Sequence, residues 1–346
     1  MVNTTADPVL DARSVIEVNT AYTRAKVLQS AVEIGLFELL ADRARTEPEI
    51  RAELGLHPRL TGDFLDVLVA MEFLSREGGV FANSPTASTF LVAGEPNYVG
   101  GTVARAATHN YAMWGRLTEA LRDGKAKSAG VAGPDAFRQT YQNPEQARRF
   151  LAHMDANNSF VAGELDKWVP WADYDSFLDL GGARGNVAAE LVRRRPHLQG
   201  GVFDLPDIEP YFDEHMRALG TDRIQFHGGD FFAGRLPNTD VAVFGHVLHD
   251  WAPEIREKLL EIAFAAVNPG GLVVVYDQMI DDARLDVSRI LQSINVRLVR
   301  DGGSEFTASE LRGWAEKAGF VYVRTVSLHT VGKDSVFIAR KPDPME

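Results

Sequence analysis

His249 stands where a strand runs out. It lies in Gly245-His246-Val247-Leu248-His249-Asp250-Trp251, behind the strand-forming run Val241-Ala242-Val243-Phe244 and ahead of a helix opening at Pro253. In an open α/β sheet the carboxyl ends of the strands are where ligands bind. Imidazole is also the side chain best suited to take a proton near neutral pH. His249 is therefore a candidate general base, with a satisfied strand-end histidine as the plain alternative. His246 and His249 with Asp250 would offer three metal-ligating groups, but neighbours on a strand turn apart, so no metal site is expected. The following strand, Val273 to Tyr276, ends in Asp277. As a neighbour of the His249 strand it would let Asp277 accept from one ring nitrogen and leave the other as the base.

A second set of residues points to a nucleoside. A strand read over 176–180 enters Asp179-Leu180-Gly181-Gly182-Ala183-Arg184-Gly185-Asn186, and a helix follows from Val187. A glycine loop between strand and helix lets backbone approach a ligand closely. Neither G-x-x-x-x-G-K nor G-x-G-x-x-G is met, since Ala183 and Asn186 stand at the second and third glycine positions of the latter. Asp204 closes the next strand in Val202-Phe203-Asp204-Leu205-Pro206, where a carboxylate can accept from both hydroxyls of a ribose. Gly228-Gly229-Asp230-Phe231-Phe232 follows a third strand; there Asp230 can bond an adenine amino group while Phe231 packs on the ring. Each acid alone reads equally well as a cap or turn residue. Three in successive βα turns point to an adenosine-containing cofactor held by Gly181, Gly182, Asp204, Leu205, Asp230 and Phe231.

The elements that must position these residues fall into two parts. Residues 1–168 read as helical. Ala21 to Leu40 has helical spacing, Thr46-Glu47-Pro48-Glu49 forms a capping box, and Leu60 to Leu74 is amphipathic. Ser75 to Phe81 with Gly78-Gly79 at its centre reads as a hairpin, giving the helix–helix–hairpin order of a winged helix. A break runs from Asp123 to Gly133, and a helix through Phe150, Met154 and Phe160 leads to the boundary at Trp168 to Trp171. Residues 169–346 alternate strand and helix, with strands at 176–180, 201–204, 224–227, 240–247 and 271–277, which implies a mostly parallel, doubly wound α/β sheet. Phe320 to Leu328 and Ser335 to Arg340 flank Gly332-Lys333-Asp334, a hairpin that adds an antiparallel edge. Asp250 reads as structural at the start of the Pro253 helix, and Thr307 with Glu310 as the capping box of a helix ending before Gly319.

Composition limits the partners. The chain has 346 residues, net charge −12 and no cysteine. The charge argues against nucleic acid or an anionic membrane, and the missing cysteines exclude disulfides and thiol catalysis. Residues 1–100 hold 8 basic and 14 acidic side chains, with Asp63 and Asp66 on the would-be recognition helix, so a DNA-binding regulator is disfavoured. The amino terminus does not read as a signal peptide, and no apolar run is long enough to span a bilayer. The expectation is a cytoplasmic protein acting on a small molecule.

Phe177-Leu178-Asp179-Leu180-Gly181-Gly182, Phe203-Asp204-Leu205-Pro206, Gly229-Asp230-Phe231-Phe232 and Val247-Leu248-His249-Asp250-Trp251 occur in this order. The series resembles that of the S-adenosylmethionine-dependent O-methyltransferases of the caffeate and hydroxyindole type, including bacterial antibiotic-tailoring members. The resemblance spans nearly the whole chain. It implies a Rossmann-like catalytic domain, an amino-terminal winged-helix-like dimerisation domain that helps cap the substrate pocket, S-adenosylmethionine as cofactor, and a homodimer. It implies methyl transfer to a hydroxyl of an aromatic or polyketide-like molecule, with His249 as base and Asp277 and Glu305 as its flanking acids. Phe150 and Met154 match the family's F-x-x-x-M pattern for the acceptor pocket, to which Trp114, Asn158 and Met279 are added as candidates. Departures are Ala183 for a third loop glycine, acceptable in that turn if its φ is negative, His246 where a basic or aromatic residue often stands, and Phe306 where an arginine is common. C- or N-methylation, or a non-methylating enzyme that binds the same cofactor, are the alternatives.

Overall fold

The computed structural model describes residues 8–128 and 135–343. The chain divides into two compact units, one ending at His109 and the other starting at Asn110.

In the first unit, helix Pro8–Glu33 is followed by Leu36–Leu39, the interruption falling at Gly35, whose φ of 73° no helix continues through. Helix Glu47–Leu54 starts from the Thr46/Glu49 capping box, and Pro58–Ala70 follows it. Strands Leu74–Glu77 and Val80–Asn83 form the expected hairpin, and Arg45–Thr46 pairs with the second of them. Ala31, Leu36, Phe37, Ile50, Leu65, Leu68 and Phe81 make its core. This is the winged-helix-like arrangement read from the sequence.

The second unit is built on seven strands: β1 (Ser176–Leu180), β2 (Gln199–Asp204), β3 (Ile224–Gly228), β4 (Thr239–Gly245), β5 (Val267–Asp277), β6 (Val321–Ser327) and β7 (Ser335–Arg340). Their spatial order is β3-β2-β1-β4-β5-β7-β6; β1 to β5 pair in parallel and β7 runs antiparallel to both its neighbours. The order reverses between β1 and β4, and the glycine loop and the His249 turn leave the sheet on either side of that switch point.

Period-two alternation assigns each face its helices. Phe177, Val202, Val241, Val243 and Val274 pack with Val187, Leu191, Phe212 and Met216 of helices Asn186–Arg194 and Glu209–Leu219. Leu178, Leu180, Ala242, Phe244, Val273 and Val275 face Leu259, Leu260 and Ala263 of helix Pro253–Ala266 and Leu311 and Ala315 of Ala308–Ala318.

Helices Pro144–Asn157 and Val161–Trp168 precede β1. The sequence pattern changes at 168/169, whereas the division into compact units comes earlier, at 109/110. Burial explains the difference: Val161, Ala162 and Leu165 lie in the same apolar cluster as Phe177 and Val187, so these helices pack with the sheet they lead into. Among the described residues no helix is long and apolar enough to cross a membrane.

Candidate active site

The glycine loop closes on two buried acids. Asp204, at the end of β2, accepts from the backbone N–H of Ala183 at 2.9 Å and of Leu205 at 2.7 Å, tying the loop to the neighbouring strand. Gly181 has φ 77°, and a Cβ there would lie 2.6 Å from Val247 Cγ2; a Cβ on Gly182 would lie 2.7 Å from the Asp179 carboxyl. Neither position admits a side chain. Ala183 departs from the sequence reading. Its φ is 49°, not negative, because the turn that directs its N–H at Asp204 needs left-handed backbone.

Asp179, Gly181, Gly182, Ala183, Asn186, Gly245 and Tyr276 line a cleft, bordered from helix Pro144–Asn157 and the turn after it by Met154, Asp155 and Asn158. Burial and the neighbouring Asp204 raise the Asp179 carboxyl to about 7; burial raises Asp204 to about 6 against the pull of its two N–H bonds. No ion pair engages either acid among the described residues. Two acids so placed fit a cationic ligand, and the side-chain-free loop beside them fits one that needs close backbone approach. Farther along the sheet edge, Asp230 caps the Phe232 N–H at 2.9 Å and meets Arg138 Nη2 at 2.9 Å. Phe231 lies over Phe203, ring centroids 5.5 Å apart.

Across the switch point, His249 sits in the turn Leu248–Asp250. Its Nδ1 is hydrogen-bonded to Glu305 Oε1 at 2.8 Å and lies 3.0 Å from Asp277 Oδ1. An ionised carboxylate only accepts, so Nδ1 carries a hydrogen and Nε2 is the basic nitrogen of the neutral ring. Of the two acids named from sequence, Glu305 makes the hydrogen bond, while Asp277 faces Nδ1 close enough to form an ion pair once the ring is protonated. Burial alone would lower the pKa of His249, but Asp277 and Glu305 outweigh it and raise it well above the usual value. Asp277, which burial would raise, is held down to about 2 by the imidazoles. Glu305, buried and close to Asp277, is pushed up.

His246 does not turn away from His249 as neighbours on a strand would. The strand has ended at Gly245, and His246 adopts φ 53°, its N–H bonded to Tyr276 O. Its ring centroid is then 5.6 Å from that of His249, and its Nδ1 is 3.4 Å from Asp277 Oδ1. The two rings thus converge on one carboxylate, and Asp250 instead pairs with Arg300 at 3.6 Å.

A family profile for the O-methyltransferase domain matches residues 114–321, and one for the O-methyltransferase dimerisation domain matches residues 16–93. The chain belongs to the S-adenosylmethionine-dependent O-methyltransferases. The N,N-dimethyltransferase OxyT of Streptomyces rimosus is 44% identical over 344 residues, 99% of this chain and 100% of the relative. The tetracenomycin polyketide synthesis 8-O-methyl transferase TcmO of Streptomyces glaucescens is 44% identical over 331 residues, 95% and 96% of the two chains. The crystal structure of human N-acetylserotonin methyltransferase in complex with S-adenosylmethionine superposes with a TM-score of 0.88 at 25% identity, covering 98% and 99%.

The acceptor-pocket candidates of this methyltransferase separate. Met154 and Asn158 line the cleft. Phe150 joins an aromatic cluster with Phe137 and Tyr141 against Leu205 and Ala183. Trp114 donates its indole N–H to Asn295 Oδ1 at 3.0 Å. Met279 is 1% exposed in the apolar layer with Phe306 and Leu311.

Four residues at the site escaped the sequence reading. Arg138 meets Asp230, Asn157 Nδ2 lies 3.2 Å from His246 Nε2, and Asp334 Oδ1 lies 3.5 Å from the same nitrogen. Arg256, 1% exposed, donates to Leu248 O and Trp251 O on the His249 turn and to Ser304 O and Oγ beside Glu305. Its guanidinium stacks over Phe306 at 4.9 Å, so a guanidinium stands beside Glu305 despite phenylalanine at the next position. An arginine at the apolar-face spacing of Leu259, Leu260 and Ala263 was the one signal in the sequence; the others look like ordinary surface residues there.

Proposed function

We propose that this enzyme methylates a hydroxyl on an aromatic, polyketide-like molecule, with His249 as the general base. The observation that carries the reading is the buried contact of His249 Nδ1 with Glu305 at 2.8 Å and Asp277 at 3.0 Å, which fixes the ring and turns its basicity to Nε2. Gly181 and Gly182 would admit the cofactor's backbone-facing part, Asp204 its ribose, Asp230 and Phe231 its adenine, and Asp179 its positive charge. Bound there, S-adenosylmethionine supplies a methyl group on a sulfonium, a leaving group that departs as a neutral thioether.

His249 takes the acceptor's O–H proton onto Nε2 as the oxygen becomes the nucleophile, and Glu305 and Asp277 carry the imidazolium that results. Once the product leaves, that proton returns to solvent. Met154 and Asn158 border the acceptor, and Arg256 holds the turn and the Glu305 loop at their spacing.

The acceptor class follows from TcmO, whose name places it in polyketide synthesis and which matches almost end to end. A second reading is favoured by OxyT: an amine acceptor, whose nitrogen must likewise lose a proton. Mass spectrometry of products formed from methyl-labelled cofactor and paired hydroxy- and amino-substituted naphthoates and anthraquinones separates the two. For the base, His249→Gln is expected to cost about 10²–10⁴ in kcat with cofactor binding retained; undiminished turnover would overturn that role.

We further propose a homodimer. The support is the dimerisation-domain match and exposed apolar residues on the first helix, among them Val15, Val18 and Tyr22.

A further inference from the structure

The base has a second histidine behind it. His246 is 7% exposed and stands between two fully buried carboxylates: Asp277 Oδ1 at 3.4 Å from its Nδ1, and Asp334 Oδ1 at 3.5 Å from its Nε2. Asp277 Oδ1 is also the atom 3.0 Å from His249 Nδ1, so one oxygen faces both rings. Neither Asp277 oxygen nor Asp334 Oδ1 has a hydrogen-bond donor among the described residues. Asp334 is held in place through its other oxygen by Thr330 Oγ1, and its own N–H returns to that hydroxyl.

Charge balance in this dry cluster needs more than one cation. Asp277, Glu305 and Asp334 are the acids around the two rings, and an uncompensated buried carboxylate costs several kcal/mol, on the order given for buried ions. Helix Pro144–Asn157 adds only the uncharged Asn157 amide, whose Nδ2 lies 3.2 Å from Nε2; a half-turn of that amide brings its oxygen round to accept from Nε2–H of a charged ring. The Tyr276 phenol stands edge-on to His246 at 5.4 Å, and Arg256 lies on the far side of Glu305. Asp334 and Asp277 raise the pKa of His246 despite its burial.

We propose that His246 is a positioning residue that holds a positive charge against Asp277 and thereby sets how tightly His249 keeps its proton. A neutral residue in its place leaves Asp277 wholly to His249, which then binds its proton more strongly and is a slower base at neutral pH. A permanent cation in its place keeps that charge, so His249 holds its proton no more tightly than in the wild type. His246 touches neither acceptor nor cofactor in this role; it acts through the shared carboxylate. The effect on turnover, though not on titration, rests on the reading of His249 as base.

The test is an NMR titration of ¹⁵N-histidine-labelled full-length protein with S-adenosylhomocysteine bound, the His249 signal assigned with His249→Gln. His246→Asn, which suits left-handed backbone, is expected to tighten proton binding at His249 by about tenfold. His246→Arg is expected to leave it equal to wild type or weaker. Asp334→Asn keeps both rings; it should weaken proton binding at His246 and tighten it at His249, and it decides the matter if the His246 variants do not fold. An unchanged His249 titration in the neutral variants, or a shift of the same sign in His246→Asn and His246→Arg, would overturn the proposal. The acid limb of kcat/KM with hydroxynaphthoate acceptors is expected to move with the titration. A titration that shifts without the rate following removes the base role and leaves the coupling between the rings standing.

Discussion

In the mechanism proposed above, buried carboxylates decide when His249 is available as a base. Because Asp277 and Glu305 raise its pKa, the neutral, proton-accepting ring becomes populated only as pH climbs through a value above 6.5. The rate of methyl transfer is therefore expected to rise with pH through that value and to fall toward acid. Glu305→Gln removes one of the two charges that raise it. A stopped-time assay across pH 5.5–9.5 should then show the acid limb moved to lower pH, with the plateau lowered because the amide holds the ring less firmly. A limb unmoved by this substitution would argue against His249 as the titrating group.

The acids of the cleft proposed for the cofactor give a second profile with its own sign. Asp179 near 7 and Asp204 near 6 are raised, so both are largely protonated at pH 5.5 and ionise as pH rises. A cationic ligand binds their ionised forms better. Calorimetric affinity for S-adenosylmethionine is expected to strengthen from pH 5.5 to 8, by up to about tenfold per unit for each group below its pKa. Asp179→Asn should both weaken binding and flatten that slope.

At the scale of elements, the glycine loop stores a small strain. Ala183 holds φ 49° where glycine costs nothing, and Ala183→Gly is expected to stabilise by about 0.5–1 kcal/mol after the added freedom of the unfolded chain is deducted. Thermal unfolding reads this directly; a loss of stability would mean the methyl packing of Ala183 against Tyr141 and Phe150 matters more. The helix Pro253–Ala266 makes a larger contribution through Arg256, which joins the His249 turn to the Glu305 loop. Arg256→Met is expected to cost about 2–4 kcal/mol, since it strands several buried carbonyls. Arg256→Lys, lacking the planar fork, should restore stability more than it restores kcat.

The same elements show what sequence alone discloses. Strands β1, β4 and β5 are readable because buried parallel strands are near-continuous apolar runs ended by glycine or acid, whereas β2 and β3 show chiefly through the acid turns that follow them, the turns proposed to hold the cofactor. The loop that carries Glu305 has no periodicity, and the resemblance was needed to find it. Asp334 looked like a hairpin turn residue, which it also is, and nothing in Asn157 distinguishes it from the exposed polar residues of its helix. The convergence of His246 on Asp277 depends on one left-handed residue, which no pattern of residue types announces.

For the molecule as a whole, the question is what covers its exposed apolar residues. Val15, Val18 and Tyr22 are 65%, 80% and 57% exposed at positions i, i+3 and i+7 of one helix, which places them on one face. Ile16 beside them is 60% exposed. In the second unit, Leu285, Val287 and Leu291 are 78%, 69% and 46% exposed around the start of helix Val287–Val299. Scattered apolar residues are ordinary on a surface, but faces of this kind mark interaction sites, and residues 16–93 match a dimerisation domain. Sedimentation equilibrium is expected to return twice the chain mass of 38.1 kDa. Val15→Glu with Val18→Glu places two carboxylates on the face and should return the single-chain mass. The residues proposed to hold S-adenosylmethionine all come after 110, so the dissociated variant should keep its affinity for the cofactor. Methyl transfer should fall if the partner's helices help close the acceptor pocket, as the family resemblance implies. Full turnover by a protein shown to be monomeric would confine the dimer to a stabilising role, and a wild type already monomeric at micromolar concentration would remove it.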